Sequence, residues 1–170
     1  FWFTDLGKVY GRQMDRGAVY YARADGSLIR EAIFPMVTPN GIGLSPDGKT
    51  LYVVETEPAR LWAFDIVGEG ELRKLPWPSP HGGRLVAGLP GYQRFDSLAV
   101  EAHDLALPER VRISPQGEWL ELHLAVEAYC NNIAFGGEGL RKAYITLSGY
   151  GRLLEAEWPR PGLPLHHLNL

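Results

Sequence analysis

A tight-turn signal followed by a short alternating strand occurs twice in this chain in nearly the same form. Ser45-Pro46-Asp47-Gly48 precedes Leu51-Tyr52-Val53-Val54, and Gly136-Gly137-Glu138-Gly139 precedes Ala143-Tyr144-Ile145-Thr146. Tyr52 and Tyr144 lie about 92 positions apart, two units of about 46, and Phe3 lies about one further unit before Tyr52, a spacing within the range of propeller blades. Ala24-Asp25-Gly26 and Ser114-Pro115-Gln116-Gly117 also sit between strand candidates and suit hairpins with a residue at positive φ. Four strands per unit would also describe a sandwich. The repeat favours a propeller, in which each blade buries its faces on its neighbours.

The strand candidates run Gly17 to Ala22, Leu28 to Ala32, Gly41 to Ser45, Leu51 to Glu55, Arg60 to Asp65, Leu98 to Glu101, Val111 to Ser114, Trp119 to Leu124, Ile133 to Phe135, Ala143 to Leu147 and Arg152 to Glu157. Gly and Pro, 20 and 13 in number, punctuate them. No 3.6-residue apolar period persists for three turns, so the fold class is all-β. About three and a half four-stranded blades are expected over 1–165, with 166–170 as a tail. The chain opens on Phe1-Trp2-Phe3-Thr4, a strand already under way, and has no initiator methionine. It reads as the C-terminal part of one propeller domain, with further blades upstream.

With 170 residues, 45% hydrophobic and 22% charged, the chain can bury a core. No apolar stretch approaches the roughly 20 residues of a membrane helix, and a net charge of -3 does not suit phosphate-backbone binding. Membrane and nucleic acid are therefore not expected partners. One cysteine, Cys130, and no basic-then-apolar start point to the cytoplasm.

Aligning the units puts Asn40, Asp96 and Asn131 at one register, each just before the strand that begins a blade. First strands line a propeller's central tunnel, so three oxygen-bearing side chains would face one mouth. Asn and Asp before a strand also cap turns, and any one of them alone reads better that way. Their shared register favours a site. A carboxylate with amide oxygens is the ligand set of a hard cation such as Ca²⁺, at about 2.3 to 2.6 Å.

The segment Pro39-Asn40-Gly41-Ile42-Gly43-Leu44-Ser45-Pro46-Asp47-Gly48-Lys49-Thr50-Leu51-Tyr52-Val53 resembles the hallmark of the senescence-marker-protein/gluconolactonase family. Phe95-Asp96-Ser97-Leu98-Ala99-Val100-Glu101-Ala102 is similar to its Asp-Gly-Leu-Ala-type segment. Trp2-Phe3-Thr4-Asp5, Phe135-Gly136-Gly137 and Tyr144-Ile145-Thr146 resemble it as well. The resemblance implies a partial six-bladed β-propeller and metal-dependent hydrolysis of a small-molecule sugar lactone. It implies one divalent cation, Ca²⁺ foremost, with Zn²⁺, Mg²⁺ and Mn²⁺ as alternatives. It makes Asn40 a metal ligand, and Asp96 both a ligand and the proton acceptor for the attacking water. A glutamate ligand and an asparagine of the family fall upstream of Phe1. Asn131 lies outside the family's ligand set and is expected as a pocket residue. The rival function is a non-catalytic or metal-free propeller acting as a binding platform.

The chain departs from the family's pattern at His103-Asp104-Leu105-Ala106-Leu107-Pro108-Glu109, which is shorter and broken by a proline that a central strand disfavours. A damaged blade is expected there. Lys8 to Arg16 interrupts the first blade. It is either a substrate lid, with Arg12 or Arg16 meeting a sugar hydroxyl or carboxylate, or a surface loop without a role. Ser45 and Ser148 lack a nucleophile context. His81 reads as a solvated loop residue, His166 and His167 as tail, and Cys130 as a buried thiol. Trp62, Trp77, Trp119 and Trp158 read as packing between blades.

Overall fold

The computed structural model describes residues 1–88, 94–101, 105–107, 111–122 and 130–165. Apart from a 3-10 turn at Glu138–Leu140, its regular elements are β-strands, as the turn and strand pattern requires. No helix among the described residues is long and apolar enough to cross a membrane. The expected tail, with His166 and His167, lies outside the described residues. The chain divides into two compact units, 1–95 and 96–170.

In the first unit, β1 (Trp2–Asp5), β2 (Gly17–Ala22) and β3 (Ile29–Met36) form one antiparallel sheet in that order. A second sheet follows as β4 (Pro39–Leu44), β5 (Thr50–Glu55), β6 (Arg60–Gly68) and β7 (Glu71–Leu72), and β8 (Arg84–Gly88) also pairs with β6. β7 takes the Ile66–Gly68 end of β6 and β8 takes Arg60–Ala63, so the fourth strand is split in two. Neither half was evident from the sequence.

Alternation along the strands builds the core. Val19, Ile33, Leu51, Val53, Trp62 and Phe64 cluster and are almost wholly buried, and Leu51 faces Phe64 across the ladder as Val53 faces Trp62. The opposite faces of β5 and β6 are buried too, through Tyr52, Val54, Leu61 and Ala63. Strands covered on both faces lose polar alternation, hence the continuous runs 51–54 and 61–64. The turn at 45–48 is locally determined. The Ser45 hydroxyl donates to Asp47 Oδ1 at 2.6 Å, Lys49 N–H donates to the same oxygen at 3.0 Å, and Gly48 has φ 68°. Those bonds, led by that from Ser45, hold the Asp47 carboxyl below its ordinary pKa.

Two expectations fail on the insertion between β7 and β8. His81 is buried, at 8% exposure, with its ring edge-on to Trp62 at 4.4 Å and tilted to Phe64 at 5.5 Å. The Pro- and Gly-rich sequence suggested a solvated loop, but the loop folds inward beside β6. Trp77 is the reverse: it is 86% exposed and packs between no blades.

In the second unit, β9 (Ala99–Val100), β10 (Leu105–Leu107), β11 (Val111–Ile113) and β12 (Trp119–Leu122) make a four-stranded sheet. The damage expected at 103–109 does not appear in the described part. Leu105–Leu107 pairs on both sides, with β9 and with β11, while residues 103, 104, 108 and 109 lie outside the description. A fourth sheet orders β13 (Cys130–Gly136), β14 (Lys142–Leu147) and β15 (Arg152–Glu157). Cys130, Ile133, Ala143, Ile145, Leu147 and Trp158 form its buried cluster, so the thiol reading of Cys130 holds. Glu101, fully buried, accepts hydrogen bonds from Arg112 Nε at 3.2 Å, Arg112 Nη2 at 3.1 Å and Trp158 Nε1 at 2.6 Å.

Candidate functional site

β4, β9 and β13, the strands that the shared register singles out, each begin their sheet in chain order. The register differs from expectation in one respect: Asn40 and Asn131 stand inside their strands, not before them. Each is the second residue of its strand. Pro39 pairs with Glu55 but Ile42 pairs with Val53, so Asn40 and Gly41 together face one residue of β5. Cys130 pairs with Leu147 and Asn132 with Thr146, so Asn131 is likewise one residue too many. Both asparagines occupy β-bulges, which bend the strand and re-aim a side chain.

The first bulge is held from the end of β5. Glu55, buried at 3% exposure, accepts from Val37 N–H at 2.6 Å and from Trp62 Nε1 at 2.7 Å. The Thr56 hydroxyl accepts from Asn40 Nδ2 at 3.2 Å, and Glu57 N–H donates to the Thr38 hydroxyl at 2.9 Å. From β1, the Thr4 hydroxyl donates to the Asn40 carbonyl at 2.8 Å. Thr38 has φ 47°, a left-handed conformation that a β-branched residue adopts only when its surroundings impose it. A Cβ on Gly17 would come within 2.4 Å of both the Asp5 carbonyl and the Pro39 ring, so only glycine lets β2 pass there. The run Glu55-Thr56-Glu57 was missed as a site element because its partners lie 16 to 19 positions back in the chain.

The second unit brings Asp96 and Asn131 together. Asp96 is half-buried and follows Phe95, which has no exposure at all. Asn131 Nδ2 donates to Asp96 Oδ2 at 2.8 Å. A carboxylate only accepts, so the amide nitrogen must face it and Asn131 Oδ1 must turn away. That oxygen is buried and has no hydrogen-bond partner among the described residues. The donors at these positions are carboxylate and amide oxygens, the chemistry of a hard-cation site, and the orphaned acceptor fits a polar guest. No cluster of three or more His, Cys, Asp or Glu side chains occurs among the described residues.

Arg12 and Arg16 lie in the first unit and are exposed. Their segment is an ordered small hairpin: Val9 bridges Met14, Tyr10 N–H donates to the Gln13 carbonyl at 2.8 Å, and Asp15 N–H donates to the Lys8 carbonyl at 2.9 Å. It carries exposed Val9, Tyr10 and Met14.

The family described as SMP-30/Gluconolactonase/LRE-like region matches residues 1–149. Lactonase drp35 of Staphylococcus saprophyticus is 32% identical over 104 residues, which are 61% of this chain and 30% of that protein. The 6-deoxy-6-sulfogluconolactonase of Pseudomonas putida is 31% identical over 132 residues, 75% of this chain and 44% of that protein. The chain thus spans less than half the length of these curated relatives. Among solved structures, a gluconolactonase from Xanthomonas campestris superposes with a TM-score of 0.71 at 24% identity, covering 93% of this chain and 53% of that one. The fold is accordingly part of a six-bladed β-propeller.

Proposed function

Because the chain belongs to the SMP-30/gluconolactonase/LRE-like family, we propose that it forms part of a metal-dependent hydrolase of a sugar lactone. The observation that carries this reading is the half-buried Asp96 carboxylate, held by the Asn131 amide just ahead of the first strand of its sheet. The lactonase names of the relatives support the substrate class.

Asn40 and Asp96 are the proposed cation ligands, and Ca²⁺ is the proposed ion because both offer hard oxygen donors. Bound there, a divalent cation supplies Lewis-acid polarisation of the lactone carbonyl and charge to offset the developing oxyanion. Asp96 accepts the proton of the attacking water at a carboxylate oxygen. As the ring C–O bond breaks, that proton passes to the leaving alkoxide, so lactone and water become one hydroxy acid. Arg12, Arg16 and Asn131 are the proposed substrate contacts, through guanidinium and amide groups suited to hydroxyls and carboxylates. A cytoplasmic setting fits the single cysteine.

Asp96→Asn in the full-length protein tests this. The change keeps shape and a ligand oxygen but removes the base, so kcat on gluconolactone with saturating Ca²⁺ should fall by about 10² to 10⁴-fold while folding survives. An unchanged kcat would remove Asp96 as base. If calorimetry finds no divalent-ion binding and no lactone is opened, the rival reading of a metal-free binding platform takes its place.

A further inference from the structure

Among the residues assigned above, Asn131 makes a contact that substrate binding does not account for. Its amide nitrogen lies 2.8 Å from Asp96 Oδ2, and the two residues are 35 positions apart in the chain. The extra residue in β13 is Asn131 itself, between the paired Cys130 and Asn132. Cys130, at 6% exposure, and Ile133, at 7%, anchor the strand on either side in the buried cluster. Asn132 is fixed separately, its N–H donating to the Thr146 hydroxyl at 3.0 Å. The backbone that carries the amide is therefore set by packing and ladder bonds, and Asp96 follows a fully buried Phe95.

We infer that Asn131 is the positioning residue of Asp96, its amide locking the rotation of the carboxylate. This deepens the proposed function and rests on it for the role of Asp96, although the orientation itself is a property of the folded chain. A side chain kept only for stability would satisfy its own polar atoms. Asn131 does not: Oδ1 is buried with no partner among the described residues. Leaving an acceptor unsatisfied opposes folding, whereas an apolar residue of the same shape avoids that loss, and the Asp96 carboxylate that gives up its donor is only half-buried and can turn to water. The stability and activity effects of one substitution should therefore have opposite signs.

Asn131→Leu, close to Asn in shape, is the test, and Asn131→Asp is the second variant, which keeps the size and replaces the donor by a repelling carboxylate. In crystals of the full-length protein grown under one condition, the wild type should show a single Asp96 rotamer against Asn131 Nδ2. Both variants should show Asp96 turned or in several rotamers. The melting temperature of Asn131→Leu should equal or exceed that of the wild type, while kcat on gluconolactone falls about 10- to 100-fold with KM nearly unchanged. One unaltered Asp96 rotamer in Asn131→Leu, or in Asn131→Asp where the first variant does not fold, overturns the inference. A wild type that opens no lactone would instead defeat the proposed function, and the rotamer would still decide the role of Asn131.

Discussion

His81 is a neutral base placed where its charged form has no support. Neither ring nitrogen has a hydrogen-bond partner among the described residues. Burial lowers its pKa from 6.5 to about 4, and the nearby cations Lys74 and Arg60 press in the same direction. Between those values the unfolded chain binds the proton and the folded one does not, so stability falls as pH drops from 6.5 and levels off below about 4. The full loss is about 3 kcal/mol. His81→Leu should flatten this limb: urea midpoints at pH 7.5 and pH 4.5 should lie closer together in the variant than in the wild type. An equal separation would mean that His81 is not the group responsible.

At the scale of elements, the short sheet that follows Asp96 is pinned by a buried ion pair. Arg112 and Glu101 have side-chain exposures of 5% and 0%, and Trp158 Nε1 closes the network onto Glu101. Removing one partner leaves an uncompensated buried charge. Arg112→Met should therefore cost about 3 to 5 kcal/mol in chemical denaturation. A loss below about 1 kcal/mol would mean that the pair is solvated in solution. Glu101 could be read from the sequence only as the end of a strand, since Arg112 and Trp158 stand 11 and 57 positions away. What was legible is local. The turns at 45–48 and 114–117 draw both bonds and backbone from adjacent residues: Glu118 N–H donates to the Ser114 hydroxyl at 3.0 Å, and Gly117 has φ 91°. What was not legible depends on pairing across the fold: the split fourth strand, the inward turn of His81, and the bulges that carry Asn40 and Asn131. The residue types at the candidate site could be picked out by their register, but the hydrogen bond from Asn131 to Asp96 could not.

For the molecule as a whole, a cation held by native residues shifts the folding equilibrium by RT ln(1+[L]/Kd), about 2.7 kcal/mol at 100 times Kd. Thermal melts of the full-length protein should therefore rise steadily with Ca²⁺. Asp96→Asn should move the rise to higher concentrations, since it removes the charge among the proposed ligands. A melting temperature that ignores Ca²⁺ would count against the cation. The two bulges have a consequence for length variation. Each puts one extra residue into a ladder of period two, so the count of residues, not their identity, decides whether the strand bends there. Deleting Gly41 would leave Asn40 alone opposite Val54, so β4 would become regular against β5 and keep the sheet, yet it would lose the bend that aims Asn40. Such a shortened chain should fold and lose its Ca²⁺ response, a functional loss written in the reading of the strand alone.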